Sequence, residues 1–573
     1  MAEPTQPAAP SAQPALPPAG PDEVALTIDG RPLVVKKGTT VLQAAEKVGL
    51  LVPHYCYHPG LSVAGNCRMC LVEIEKMPKL QIGCATQAAQ GMVVRTANER
   101  VARTRQGIME FLLINHPLDC PICDQAGECR LQQYEAAYGA GFSRFNEEKV
   151  HAAKRESLGR HVMFDGERCI KCTRCIRFCD EVSRSHELGL LERGDHAIIG
   201  TFPGKPLDNP YSGNTVDICP VGALTLKEFR FKARVWFLKD VPSVCAGCAR
   251  GCNVNLATYR NQIHRMTPRF NAEVNEYWIC DPGRLSYQAL EERPRLAAPL
   301  VRRGSSGAAG PHLSAGGESA GAASAVTASA GSAPADAWSG ALDAAAALLR
   351  GVAQRSGGQT LAALVSARLS VEDLFMARRV LHETIGISRV AVPAHEEGDD
   401  DRLLIRRDKT PNGRGAALVG VGAPHAGRVK EILEDLAAGR VRGLVVVGED
   451  PIGDGLLTEA ARRNLDALVV VDWWRSPTAE AADVALPSCG YGEAEGVFVN
   501  FEGRAQRVRA AIRPAGQADP VWRILAALGN RFGLSGDYPS ASRLFDEVAS
   551  STPVFAGLSY RALGEPGVRL KEA

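Results

Sequence analysis

Within fourteen residues, His116, Cys120, Cys123 and Cys129 set one imidazole and three thiols at the spacing H-x3-C-x2-C-x5-C. Imidazole and thiolate are soft or borderline donors, and four of them so close together suit a metal centre better than disulfides. Three further sets repeat the theme. They are Cys56, Cys67, Cys70 and Cys84; Cys169, Cys172 and Cys175 with either Cys179 or Cys219; and Cys245, Cys248, Cys252 and Cys280. Of the 17 cysteines, 16 lie between Cys56 and Cys280, and Cys489 stands alone beyond them. The odd count argues against a closed disulfide framework. In a reducing compartment such C-x2-C groupings read as metal or redox sites. Zinc and iron–sulfur clusters would both accept these donors.

The bulk properties narrow the class. A chain of 573 residues is too long for one core and implies several domains. A net charge of +2 leaves no electrostatic footprint for nucleic acid. No apolar run approaches the roughly 18 residues of a membrane span. The start of the chain has neither the basic nor the apolar region of a secretory signal, so a cytoplasmic location is expected. Residues 1–22 hold seven prolines and many alanines and are expected to be disordered. Residues 303–337, nearly all Gly, Ser and Ala, read as a linker.

The donors need elements to position them. Val24 to Ile28 and Arg31 to Val35 flank Asp29-Gly30, which predicts a β-hairpin. Thr40 to Gln43 reads as a capping box opening a helix that Gly49 would end. Hairpin, helix and cysteine-bearing loop follow the order of a plant-type ferredoxin, a β-grasp fold. Four thiolates in that loop suit a [2Fe–2S] cluster, with Gly60, Gly65 and Asn66 letting the backbone bend closely. The gap from Cys56 to Cys67 is longer than the ferredoxin spacing. Val101, Ile108, Phe111 and Leu112 recur at helical spacing and predict a helix that delivers His116.

Cys169, Cys172 and Cys175 form the C-x2-C-x2-C run of bacterial ferredoxins. Cys219 precedes Pro220, as the last cysteine of such runs does, and no second triad lies between 180 and 218. Cys219 is therefore the better fourth ligand, and Cys179 is a spare thiol. Lys171, Arg174 and Arg177 in this loop read either as charge that stabilises a reduced cluster or as an ordinary solvated basic face. Asn253 to Thr258 and Gln262 to Met266 read as short strands under the fourth set.

Beyond the linker the pattern changes. Leu361–Val365, Arg389–Val392, Gly443–Val447 and Ala467–Val471 read as strands. A helix is expected from Ser370 to Ile385, stopped by Gly386, with others at about 429–438 and 456–464. Alternating strands and helices imply a doubly wound parallel sheet. Gly420-Val-Gly422 is a weak dinucleotide fingerprint, lacking its third glycine and carrying Pro424 where a helix should begin. Cys489 reads as structural or incidental.

The run from Cys56-Tyr-His-Pro-Gly to Asn66-Cys67-Arg-Met-Cys70, together with Asp119-Cys-Pro-Ile-Cys-Asp-Gln-Ala-Gly-Glu-Cys129, resembles the large iron–sulfur subunit family of respiratory complex I, the bacterial G or mitochondrial 75 kDa type. The resemblance is close over residues 23 to about 290 and weak afterwards. It implies a [4Fe–4S] cluster on His116, Cys120, Cys123 and Cys129. The Cys245 set resembles the [4Fe–4S] site of molybdenum and tungsten bis-pterin enzymes, and Glu493 to Arg504 resembles a pterin-oxidoreductase remnant.

The fold class expected is multidomain α+β and α/β. After the tail of 1–22 come a [2Fe–2S] ferredoxin domain at 23–100, the His/Cys [4Fe–4S] domain at 101–150 and a ferredoxin-like [4Fe–4S] domain at 151–235. A bis-pterin-type [4Fe–4S] domain follows at 236–300. After the linker, 338–573 is a shortened, degenerate molybdopterin-oxidoreductase-like domain. The resemblance further implies one [2Fe–2S] and three [4Fe–4S] clusters without molybdopterin. Its partners would be a flavin-bearing, NADH-binding subunit and quinone-facing iron–sulfur subunits, on the cytoplasmic side of the inner membrane. The alternative is the iron–sulfur subunit of a soluble NAD-linked hydrogenase or of a formate dehydrogenase.

Overall fold

The structure, a computed structural model, describes residues 15–302 and 336–571. Most of the Pro/Ala-rich tail and of the Gly/Ser/Ala linker lie outside the described residues. The chain divides into two compact units, one ending at Leu238 and the other beginning at Lys239.

In the first unit Asp29 and Gly30 both take positive φ, 44° and 78°, which matches the twist of the flanking strands and closes the hairpin. Its strands Glu23–Ile28 and Arg31–Lys36 pair antiparallel, and Glu23–Ile28 runs parallel to Val93–Arg95. The five-stranded sheet continues through Leu71–Ile74 to Gln81–Ile82. The helix Val41–Lys47 crosses it, started by the reciprocal Thr40–Gln43 box and closed at Gly49 with φ 71°. Leu26, Ile28, Leu42, Val72 and Val94 form the core beneath, and Cys70 and Cys84 belong to that core. This is the expected β-grasp arrangement.

A helix over Glu99–Leu113 follows, with Asn98 as its cap. Its inward face differs from the sequence reading. Val101, Arg105 and Met109 are buried, a strict i, i+4, i+8 stripe, whereas Phe111 is 79% exposed. A buried arginine stem covers the position where an apolar side chain was expected. The rest of the unit is built from short pieces: the helix Arg130–Tyr138, a small sheet of Glu156–Ser157, Val162–Phe164 and Leu224–Leu226, and the hairpin Leu188–Leu191 with Ile198–Thr201.

The second unit opens on three antiparallel strands, Lys239–Val244, Asn253–Tyr259 and Gln262–Pro268. The last two are the predicted pair, and the first was not anticipated. Its main sheet has the order Leu300–Val301, Val484–Pro487, Ala467–Asp472, Gly443–Val447, Leu361–Val365, Arg389–Ala391. All neighbours are parallel except the edge strand Leu300–Val301. The parallel sheet is as expected, because its central strands are apolar throughout and buried on both faces. Ser370 caps its helix with Asp373 in a capping box, and the element passes into a π-helical stretch at Arg378–Thr384 before Gly386. The helix expected at 456–464 shrinks to Glu459–Arg462, because Thr458 caps it and Gly455 at φ 70° turns the chain before it. No strand leads into Gly420: the helix Gly413–Leu418 precedes it, and His425 caps the next helix. The segment is not a phosphate-binding turn.

Candidate metal centres

The four thiols of the first set fall into two contacting pairs. Cys67 hydrogen-bonds to Cys56, and Cys84 to Cys70, while the charges of Cys56 and Cys67 also reach Cys84. The hydrogen bond within each pair favours one thiolate, so Cys56 and Cys70 are lowered and Cys67 and Cys84 raised. The backbone N–H groups of Tyr55 and Cys56 both point at Cys67 Sγ, 3.4 Å away. Gly65 takes φ 63°, the bend expected of it.

His116 lies just past the end of the Glu99–Leu113 helix and is half-buried. Burial, and then the charge of Arg168, push its imidazole down to about 4. It is therefore neutral at ordinary pH, as a metal donor must be. Its ring makes no hydrogen bond among the described residues. Cys120 is exposed at the head of a 3-10 turn, and Cys123 and Cys129 are buried. Burial raises the thiols of Cys123 and Cys129, and the charges of Cys120 and Cys123 bear on Cys129. Arg168 ties the loop down through Asp119 Oδ2, at 3.2 and 2.8 Å, and its charge acts on both His116 and Cys123.

Gly222 closes the site from outside its own loop. A Cβ placed there would lie 2.1 Å from Cys123 Sγ. Arg130, next to Cys129, donates its N–H to Pro220 O at 3.2 Å. The segment Cys219–Gly222 thus forms a wall of the His116 loop while carrying a cysteine of the neighbouring set. Sequence reading used Pro220 and passed over Gly222, whose only signal is its place two residues beyond that proline.

Cys169, Cys172, Cys175 and Cys219 are brought together. The charge of Cys219 bears on each of the other three. Burial pushes Cys169 up to about 12 and Cys172 up to about 11. The backbone N–H groups of Val221, Ala223 and Leu224 surround Cys219, and Lys171 N–H points at Cys169 Sγ at 3.4 Å. Cys179 is buried in the π-helical turn Phe178–Val182, and its thiol bonds to the hydroxyls of Ser185 and Ser183. Arg174 is buried, so the solvated-face reading fails for it.

Cys245, Cys248, Cys252 and Cys280 are all buried in the second unit, and the charges of the other three reach Cys252. Gly247 N–H and Gly283 N–H each lie 3.4 Å from a sulfur, those of Cys245 and Cys280. A Cβ on Gly283 would sit 3.1 Å from both sulfurs. A thiolate-rich pocket ringed by N–H donors, with no room for side chains, fits an iron–sulfur cluster.

Farther along, a cavity of about 700 Å³ is lined by Asp373, Asp472, Trp473, Cys489 and Tyr491 among others. Cys489 is half-buried, and burial raises its thiol. In the same wall His395, Glu449 and Asp454 bring ligand-type atoms within 4.8 Å of one another, with His395 Nε2 and Glu449 Oε2 paired at 2.8 Å. Their wide separation in sequence hid this group.

Comparison with known proteins matches this geometry in order. Family models match as a 2Fe-2S iron-sulfur cluster binding domain over 21–99, an NADH-ubiquinone oxidoreductase-G iron-sulfur binding region over 105–144, and an NADH-quinone oxidoreductase subunit 3 ferredoxin-like domain over 159–225. A molybdopterin oxidoreductase Fe4S4 domain follows over 238–292 and a molybdopterin oxidoreductase match over 415–531. The G subunit of the NADH-quinone oxidoreductase of Rickettsia bellii is 46% identical over 280 residues, 49% of this chain and 41% of that protein. The mitochondrial NADH-ubiquinone oxidoreductase 78 kDa subunit of Neurospora crassa is 47% identical over 284 residues, 49% of this chain and 38% of that one. The match thus spans about two fifths of these relatives' length. A chain from a solved NAD+-reducing [NiFe]-hydrogenase is 29% identical with a TM-score of 0.32, over 37% of this chain and 91% of that one. With cluster-binding family models in series from residue 21 to residue 292 and relatives at 46% and 47% identity, the chain is a homologue of the large iron–sulfur subunit of NADH-quinone oxidoreductase.

Proposed function

We propose that this chain is the electron-transferring iron–sulfur subunit of an NADH-quinone oxidoreductase. It takes electrons from a flavin-bearing, NADH-binding partner and passes them toward quinone-facing iron–sulfur partners. One observation carries the reading: fifteen cysteines and His116 make up four sets of four donors, leaving Cys179 and Cys489 over.

On this reading Cys56, Cys67, Cys70 and Cys84 hold a [2Fe–2S] cluster, and their two contacting pairs suit two irons. Three [4Fe–4S] clusters are held by His116, Cys120, Cys123 and Cys129; by Cys169, Cys172, Cys175 and Cys219; and by Cys245, Cys248, Cys252 and Cys280. When bound, each cluster takes up and releases one electron. The chain's own residues exclude water by burying the sulfurs and direct N–H groups at Cys67, Cys169, Cys245 and Cys280. His116 substitutes a neutral donor for a thiolate, which leaves its site less negative. The domain limits given from sequence stand as part of this proposal, as does the absence of molybdopterin from the second unit.

Among the described residues no helix is long and apolar enough to cross a membrane. A peripheral position on the cytoplasmic face, held by partner subunits, accords with this. Leu118 and Ile122, exposed in the His116 loop, offer apolar contact. Affinity purification of the tagged chain tests the proposal. A co-purifying flavoprotein with NADH-dependent quinone reduction supports it. Co-purification with a hydrogen- or formate-oxidising subunit instead would replace it.

A further inference from the structure

We propose that Arg174 and Arg177 are a shared counter-charge for two cluster sites, the Cys56–Cys84 set and the Cys169–Cys219 set, and that they raise the reduction potential of both. The proposal rests on the ligand sets assigned above.

Each guanidinium spans the two sites. Arg174 is 5% exposed; it donates to Ile218 O at 2.9 Å, beside Cys219, and to Tyr57 O, beside Cys56. Its Nε has no partner. Arg177 donates to Cys56 O at 2.6 Å and to Cys172 O at 3.3 Å, and further to Ser62 O and Thr173 Oγ1. Every acceptor is neutral. Neither arginine has a carboxylate partner among the described residues.

The arginines at the other two sites are arranged differently. Arg168, at the His116 loop, pairs with Asp119 at 2.8 Å and Asp165 at 3.3 Å. Arg250, between Cys248 and Cys252, pairs with Glu502 at 3.5 Å. A buried cation held only by neutral acceptors is strongly disfavoured, so an anion has to be supplied. The groups at hand that can carry negative charge are the sulfurs of Cys172 and Cys219 around Arg174 and of Cys56 near Arg177. Arg130 adds a further positive charge and its guanidinium pairs only with His54 Nε2, at 3.2 Å. A thiolate-ligated cluster is negative and becomes more so on reduction. Fixed positive charge between two such sites favours the reduced form of each. Carbonyl bonds alone would account for a staple, but a staple does not require three arginines gathered without an acid.

Redox-titrated EPR of Arg174→Gln, Arg177→Gln and Arg174→Lys tests this in the full chain within its complex, after iron and sulfide have been assayed. The expected result is unchanged cluster content, lower midpoint potentials for both clusters in each Gln variant, and recovery of most of the shift in Arg174→Lys. The clusters of His116 and of Cys245 should keep their potentials. Unchanged potentials in variants that retain their clusters, or a shift in only one of the two, would overturn the proposal. If Arg174→Gln loses a cluster, Arg177→Gln and Arg174→Lys decide by the same criterion. Wild-type protein without iron and sulfide at these sites overturns the ligand assignment itself, a result distinct from unmoved potentials.

Discussion

Cys179 and Cys219 compete for one place, and their surroundings separate them. Cys219 meets backbone N–H groups and its three partner thiols, while Cys179 meets two serine hydroxyls. Cys179→Ser should therefore leave the EPR signal of that cluster intact at a stability cost of about 1 kcal/mol, and Cys219→Ser should abolish it; the reverse pattern would refute the assignment. For His116→Ala, three thiolates and an open iron site predict loss of that cluster's signal and a sharp fall in NADH-to-quinone electron flow. His116→Cys should keep a cluster at a lower potential. Full signals at unchanged potentials in the Ala variant would mean that His116 is no ligand. Cysteine spacing made most of this legible in the sequence. The buried Arg174 and the crowding of Gly222 on Cys123 were not, because both depend on segments far apart in the chain.

Capping is the part of the element scale that sequence exposes best. Thr40 with Gln43 was readable as a box, and Ser370 was readable as a cap. That Asp373 completes the second box, and also accepts the N–H of Trp522 at 2.8 Å, was not. Ser370→Ala should cost roughly 1–2 kcal/mol in denaturant unfolding. In the same helix Glu372 is buried, bonded to Tyr560 Oη at 2.7 Å and Val497 N–H at 2.9 Å, and burial pushes its carboxyl up to about 8. Burial likewise raises Asp472 to about 7. An unfolded carboxyl gives up its proton near pH 4, so between that pH and the raised value the folded state holds the extra proton. Stability must then fall as pH rises through this window, by at most about 1.4 kcal/mol per pH unit for each group, and level off above about pH 8. Glu372→Gln should flatten that slope in thermal melts at successive pH values. An unaltered slope would show that Glu372 is ionised in the folded state.

For the whole molecule, the four ligand sets predict about 14 iron atoms per chain with matching sulfide, measured after anaerobic purification, and no stoichiometric molybdenum or tungsten. A colourless protein with one zinc per site would sink this. The parallel sheet of the second unit was legible because Leu361–Val365, Gly443–Val447 and Ala467–Asp472 are apolar end to end. The pair Gly496–Val499 and Arg504–Val508 was not, since buried Arg504 and Gln506 break the apolar pattern and are satisfied only by distant backbone and side-chain groups. The acid-and-histidine group of the cavity wall was hidden for the same reason.

The contact of Gly222 with Cys123 also sets an order in time. Translation delivers His116, Cys120, Cys123 and Cys129 long before Gly222 leaves the ribosome, yet the wall of their site is made of that later residue. A nascent chain that stops short of Cys219 has every donor of the earlier centre and neither its wall nor the last donor of the next. Loading of both centres is therefore a post-translational event, and the two mature as one unit.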